Sequence, residues 1–234
     1  MTDGHQVLVS ASLLNADFSR LDRVVHKMER AGADRLHLDV MDGNFVDNIT
    51  FGPDVVAAFR RLTDMPLDVH LMIAEPARYM DRFIEAGPET ITFHVEAGEG
   101  DERKGEAIAA IHAAGREAGL AVSPDTPVSA VDPWLDELDI IMIMSVYPGW
   151  GGQGFIPETA PKIAEARARL AAAGRGGLVH VDGGVNSKTA DVVGAQGIDV
   201  CVVGSALFTR GRDASAEVDL VKARALDAFA AGVR

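Results

Sequence analysis

The run Ile140-Ile141-Met142-Ile143-Met144 is apolar at every position. A strand with one face in water alternates apolar and polar residues. One that is apolar throughout is covered on both faces, as in a parallel α/β arrangement. Working outward from it, short runs of the same kind recur at Val7–Ser12, Arg35–Asp39, Leu67–Leu71, Thr90–His94, Leu120–Ser123, Ile140–Ser145, Leu178–Asp182 and Val200–Val203. The segments between them have helical period. Phe18, Leu21, Val25 and Met28 share one face, and Ile163, Ala166 and Leu170 share another. Asp17 and Ser19 offer N-capping oxygens, and Pro76 and Pro157 stand where first helical turns begin. Gly32, Gly87, Gly115 and Gly174 read as helix stops, and Glu217–Val233 as a closing helix. Eight strand–helix units in 234 residues predict a single (β/α)8 TIM barrel over residues 1–234. A doubly wound open sheet needs fewer strands and usually a Gly-rich first turn, which Ser10–Phe18 lacks. No Pro/Ser-rich linker or block of like charge divides the chain.

Composition narrows the function. Hydrophobic residues make up 47% and charged residues 24%, proportions that suit a globular chain with a full core and exclude general disorder. The 22 basic and 35 acidic residues give a net charge of −13. That balance argues against nucleic acid or an anionic membrane as partner. A small phosphorylated substrate remains compatible, because backbone amides and a metal can hold it. The single cysteine, Cys201, permits no intramolecular disulfide and no cysteine zinc cluster. With no apolar run of ~18 residues and no signal-peptide pattern, the expectation is a cytoplasmic enzyme or binding protein.

The polar residues at the strand ends are the informative ones. His37 and Asp39 lie two apart on one strand and face the same side, while His70 and Asp182 close two other strands. At the C-terminal mouth of a barrel these four converge. Two imidazoles and two carboxylates suit a divalent transition metal such as Zn²⁺, Fe²⁺, Mn²⁺ or Co²⁺. Met41, Met72 and Met144 follow or end neighbouring strands; they read first as core fillers, with a second reading as a water-excluding lining of the site. A second constellation is Gly-rich: Pro148-Gly149-Trp150-Gly151-Gly152-Gln153, Asp182-Gly183-Gly184-Val185-Asn186 and Gly204-Ser205 follow consecutive strands. Loops after the seventh and eighth strands are the usual phosphate site of such barrels. Lys27, Lys104, Lys162, Lys188 and Lys222 all fall in helices or loops, which disfavours Schiff-base chemistry.

Five stretches, in order, resemble the ribulose-phosphate 3-epimerase family: Ser12–Phe18, His37–Gly43, Leu67–Met72, Met144–Gln153 and Val181–Val185. The resemblance runs from about Val9 to Phe208. It implies a TIM barrel of the ribulose-phosphate-binding type that epimerises a ketose phosphate with one divalent metal ion. By resemblance, Asp39 and Asp182 are acid/base residues and metal ligands, and His37 and His70 complete the metal shell. Ser12 and His70 would contact substrate. Gly149, Trp150, Gly151 and Gly152, with Gly183, Gly184, Gly204 and Ser205, would surround the phosphate. The expected reaction is D-ribulose 5-phosphate to D-xylulose 5-phosphate. D-allulose 6-phosphate as substrate and a non-catalytic sugar-phosphate-binding paralogue are the alternatives. A homo-oligomer is also expected. The chain departs from the family at Ala11, Asn44, Asp47, Ser123, Tyr147, Trp150 and His180. The proton-transfer and metal residues are kept while several of the changes surround the pocket, and His180 is expected to act on the surroundings of Asp182.

Overall fold

The computed structural model describes residues 4–98, 100–174 and 176–232. Eight parallel strands close into a barrel in sequence order: β1 (Leu8–Ser12), β2 (Arg35–Met41), β3 (Leu67–Met72), β4 (Thr90–His94), β5 (Glu117–Val122), β6 (Ile140–Met144), β7 (Leu178–Asp182) and β8 (Val200–Val203). Outside it run α1 (Leu21–Ala31), α2 (Pro53–Leu62), α3 (Pro76–Glu85), α4 (Asp101–Ala113), α5 (Pro161–Ala172), α6 (Ala190–Gly194), α7 (Ser205–Phe208) and α8 (Ala214–Gly232). This is the TIM barrel that the apolar runs predict.

Alternation along each strand builds two different cores. Leu36, Leu38, Val69, Leu71, Ile91, Phe93, Ile141, Ile143, Val179 and Val181 pack with the helices in one large apolar cluster. Val25 and Met28 of α1 and Ile163, Ala166 and Leu170 of α5 meet them from outside. Burying side chains of this size is worth about 1.5–3 kcal/mol each. The alternate positions face the barrel axis and are mostly polar: Ser10, His37, Asp39, Asp68, His70, Thr90, Thr92, His94 and His180 are all buried. Ala121, Met142, Met144 and Val146 form a small apolar cluster of their own there.

Local expectations hold in most places and fail in a few. Gly32, Gly87, Gly115 and Gly174 all take positive φ, between 70° and 88°, and end helical segments. Phe18, placed on the buried face of α1, instead lies in a 3₁₀ turn ahead of it and is 44% exposed. Asp17 accepts from Ser19 N and so caps that turn rather than α1. β5 starts at Glu117, before the expected Leu120, and the connection from β5 to β6 is a 3₁₀ run, Val128–Glu137, in place of an α-helix. Pro133 inside that run removes a backbone donor and opposes a regular α-helix.

Candidate active site

The mouth of the barrel is organised by register. β2 and β3 pair with Asp39 beside His70 and His37 beside Asp68; β6 and β7 pair with Met144 beside Asp182. At the strand ends the four expected ligands come together: one ligand atom from each of His37, Asp39, His70 and Asp182 lies within 4.8 Å of the others. His37 Nε2 is 3.4 Å from Asp39 Oδ1 and 3.8 Å from Asp182 Oδ2. His70 Nδ1 is 3.4 Å from each of the same two oxygens. Neither nitrogen has a hydrogen-bond partner among the described residues, although both are buried. Two orphaned imidazole lone pairs aimed at two carboxylates fit a divalent cation, which would satisfy all four at once.

The outward nitrogens of both imidazoles are occupied. His37 Nδ1 lies 2.9 Å from Asp68 Oδ2, and Asp68 also accepts from Ser10 Oγ at 2.9 Å and Thr90 Oγ1 at 3.1 Å. His70 Nε2 lies 2.9 Å from His94 Nε2, and His94 Nδ1 lies 3.0 Å from Glu96 Oε2. Burial alone would push the His37 imidazole down, but the Asp68 and Asp39 carboxylates raise it well above its usual value. Burial alone would raise the Asp39 carboxyl, and the His37 and His70 imidazoles hold it below the ordinary carboxylate range. Asp68 is likewise held low against its burial, chiefly by His37.

The cavity above this cluster is lined by Ser12, Asp39, Met41, Met72, Met144, Asp182 and the three Gly-rich loops, including Gly149, Trp150, Gly151, Gly152, Gly183, Gly184, Gly204 and Ser205. His37 and His70 lie beneath it, fully buried, so His70 faces the cluster and not the cavity wall. Ser12 lines the cavity with its hydroxyl already committed, donating to Asp39 Oδ2 at 2.7 Å. Among the described residues no lysine lines the cavity. The loop after β7 needs its glycines. Gly183 and Gly184 have φ of 121° and 65°, and a Cβ on Gly184 would lie 2.3 Å from Phe155 N.

Two loops meet over the mouth. Asp42 Oδ1 accepts from the amides of Asn44 and Phe45, which fixes the segment after β2, and Asn48 Nδ2 reaches across to Gly149 O at 2.7 Å. Tyr147 donates its hydroxyl to Asp125, and Trp150 is 58% exposed at the rim.

His180 is placed differently from expectation. It sits one interior layer below Asp182, with Nδ1 3.8 Å from Asp68 Oδ2, and both its nitrogens lack hydrogen-bond partners among the described residues. Burial pushes it down to about 4. Two residues along a strand is about 6.6 Å of depth, which puts the imidazole beside Asp68 and away from the carboxylate of Asp182. Asp68, His94 and Glu96 carry weaker sequence signals. Asp68 is two residues before His70 and so shares its face; His94 ends a strand as the expected ligands do.

Comparison with known proteins places this geometry in a family. The ribulose-phosphate 3 epimerase family model matches residues 8–208. Among the similar proteins is the ribulose-phosphate 3-epimerase of Bacillus subtilis, 44% identical over 203 residues, covering 86% of this chain and 92% of that protein. The ribulose-phosphate 3-epimerase of Rhodobacter capsulatus is 42% identical over 218 residues, 93% of either chain. A solved structure of KGPDC from Streptococcus mutans shares the fold, with a TM-score of 0.72, 13% identity, and coverage of 96% of this chain and 100% of that one. No described helix is long and apolar enough to cross a membrane. Matched along nearly the whole barrel, from β1 to the turn after β8, the chain belongs to the ribulose-phosphate 3 epimerase family of isomerases.

Proposed function

We propose that the protein is a metal-dependent 3-epimerase of a ketose phosphate, interconverting D-ribulose 5-phosphate and D-xylulose 5-phosphate. The observation that carries this reading is the pair of carboxylates, Asp39 and Asp182, flanking two orphaned imidazole nitrogens at the base of one cavity. His37 Nε2, His70 Nδ1, Asp39 Oδ1 and Asp182 Oδ2 would hold the ion. A divalent ion there supplies Lewis-acid stabilisation of the negative charge that develops when a proton leaves the carbon beside a ketone.

The protein's own groups move the proton. Asp39 Oδ1 faces the imidazoles, which leaves Oδ2, oriented by the Ser12 hydroxyl, as the base that takes the C3 proton. The C3–H electron pair passes into the enediolate. Asp182 Oδ2 faces the same imidazoles, so Oδ1 is the oxygen left to return a proton to C3 from the opposite face. Asp39 ends protonated and Asp182 ionised, and the reverse reaction exchanges the roles. Met41, Met72 and Met144 line the cavity and exclude water from the reacting face. The amides around Gly183-Gly184 and Gly204-Ser205, with the Gly149–Gly152 loop, hold the phosphate.

The test is turnover of metal-loaded protein with D-ribulose 5-phosphate beside D-allulose 6-phosphate, with Asp182→Asn as control. The expected result is fast turnover of the pentulose and a loss of about 10²–10⁴-fold or more in the variant. Preference for the hexulose would change the sugar and keep the mechanism. Tight phosphate binding without metal or turnover would identify a sugar-phosphate-binding paralogue.

A further inference from the structure

We infer that His94 and Glu96 are positioning residues for His70, forming a His70–His94–Glu96 chain that fixes which nitrogen His70 presents to the metal. The inference rests on the metal reading above. An imidazole that offers the Nδ1 lone pair must carry its proton on Nε2. His70 Nε2 lies 2.9 Å from His94 Nε2, and two nitrogens at that distance share a single proton. His94 Nε2 must therefore accept, which puts the His94 proton on Nδ1. Nδ1 lies 3.0 Å from Glu96 Oε2, an acceptor-only group. Every proton along the chain is thus assigned by one end being a carboxylate.

The carboxylate is itself held. Glu96 Oε1 accepts from Ser123 N at 2.7 Å, at the end of β5. Lys162 Nζ donates to the carbonyls of Ser123, Pro124 and Thr126 and so fixes the turn that carries that amide. On its other side the His94 ring is covered by Phe45, with centroids 4.7 Å apart. His37, by contrast, pairs with Asp68 directly. The two imidazoles therefore reach their carboxylates differently: His37 directly, and His70 through a second histidine that extends the reach to the rim. Buried partners of this kind orient a ligand and raise its basicity.

The test compares metal-free wild type with His94→Phe, His94→Gln and Glu96→Gln. Each is titrated with Co²⁺ and followed by its visible absorption, beside the melting temperature of the metal-free protein. The expected result is a Co²⁺ affinity about 10–100-fold weaker in H94F and clearly weaker in E96Q, with altered absorption bands. H94Q, whose amide oxygen can accept from His70 Nε2, should recover part of the loss. Affinities and bands of H94F and E96Q within twofold of wild type would overturn the inference. So would losses that merely track the melting temperature of the metal-free variants. If H94F does not fold, E96Q and H94Q decide by the same criteria. A wild type that takes up no Co²⁺ would sink both this inference and the metal reading. A wild type that binds Co²⁺ and epimerises, with variants that bind as tightly, would sink the positioning chain alone.

Discussion

Replacing Asp68 with alanine tests whether the polar interior of the barrel is held by one carboxylate. Asp68 is fully buried and accepts from His37 Nδ1, Ser10 Oγ and Thr90 Oγ1. Thr90 retains a second, longer contact to Leu67 O at 3.5 Å, so two donors lose their only clear acceptor. A buried donor left unsatisfied costs about 1–3 kcal/mol, more when charge is involved, which sums to about 4 kcal/mol here. Against a total stability of about 5–15 kcal/mol this is a large fraction. The assay is urea unfolding of the metal-free protein, so that metal affinity does not enter the measurement. With a slope of about 1–3 kcal/mol per molar, the midpoint should fall by at least ~1 M. Asp68→Asn keeps the volume and one acceptor oxygen and should lose about half as much; it carries the measurement if the alanine variant does not accumulate folded. A loss below about 1 kcal/mol in both would refute the reasoning, because the His37 and Ser10 donors would then have found other partners at no cost.

Two further outcomes follow from single side chains. Glu96 is held down to about 2 from the usual 4.5: burial opposes this, and the hydrogen bond and charge of His94 overcome it. A carboxyl depressed by folding stabilises above its unfolded pKa, and that contribution is lost as pH falls through the window from 4.5 to about 2. The full drop corresponds to about 3 kcal/mol. With 26% of the side chain open to solvent, screening trims it to about 1–2 kcal/mol. Glu96→Gln should therefore be less stable than wild type at pH 7 by that amount, with the gap closing by pH ~2; a gap that stays constant with pH in urea unfolding would contradict the assignment. Burial pushes the Cys201 thiol up to about 12, so a thiol reagent at pH 8 should leave the native protein unlabelled for hours and label it fully in denaturant. Rapid native labelling would show that β8 opens locally.

The strands were legible because a barrel strand is covered on both sides. Thr90–His94, Leu178–Asp182 and Val200–Val203 are observed with the bounds that their apolar runs suggest. The start of β5 is hidden in the sequence because the strand opens on an exposed glutamate and contains Gly119, both poor strand signals. Yet a Cβ at Gly119 would lie 2.4 Å from Thr92 Oγ1, so the weak strand residue is the one that fits. The convergence of His37, Asp39, His70 and Asp182 was legible because the two-residue period and the strand ends together fix depth and direction. Their supports were not. Whether Asp68 backs His37, or His94 backs His70, depends on stagger between strands, which no single strand records. The same gap explains His180, whose neighbouring carboxylate, Asp68, lies across the barrel and not along its own strand.

The bridge from Asn48 to Gly149 has a consequence for traffic through the mouth. A single hydrogen bond is worth about 0.5–1.5 kcal/mol net, which favours the bridged state over the parted one by only about two- to tenfold. Such a contact biases a doorway and does not bolt it. A sugar phosphate can come and go by parting two surface loops while the strands beneath, with their buried pairs, stay assembled. Exchange with solvent and retention of the site's shape are thereby assigned to different parts of the chain.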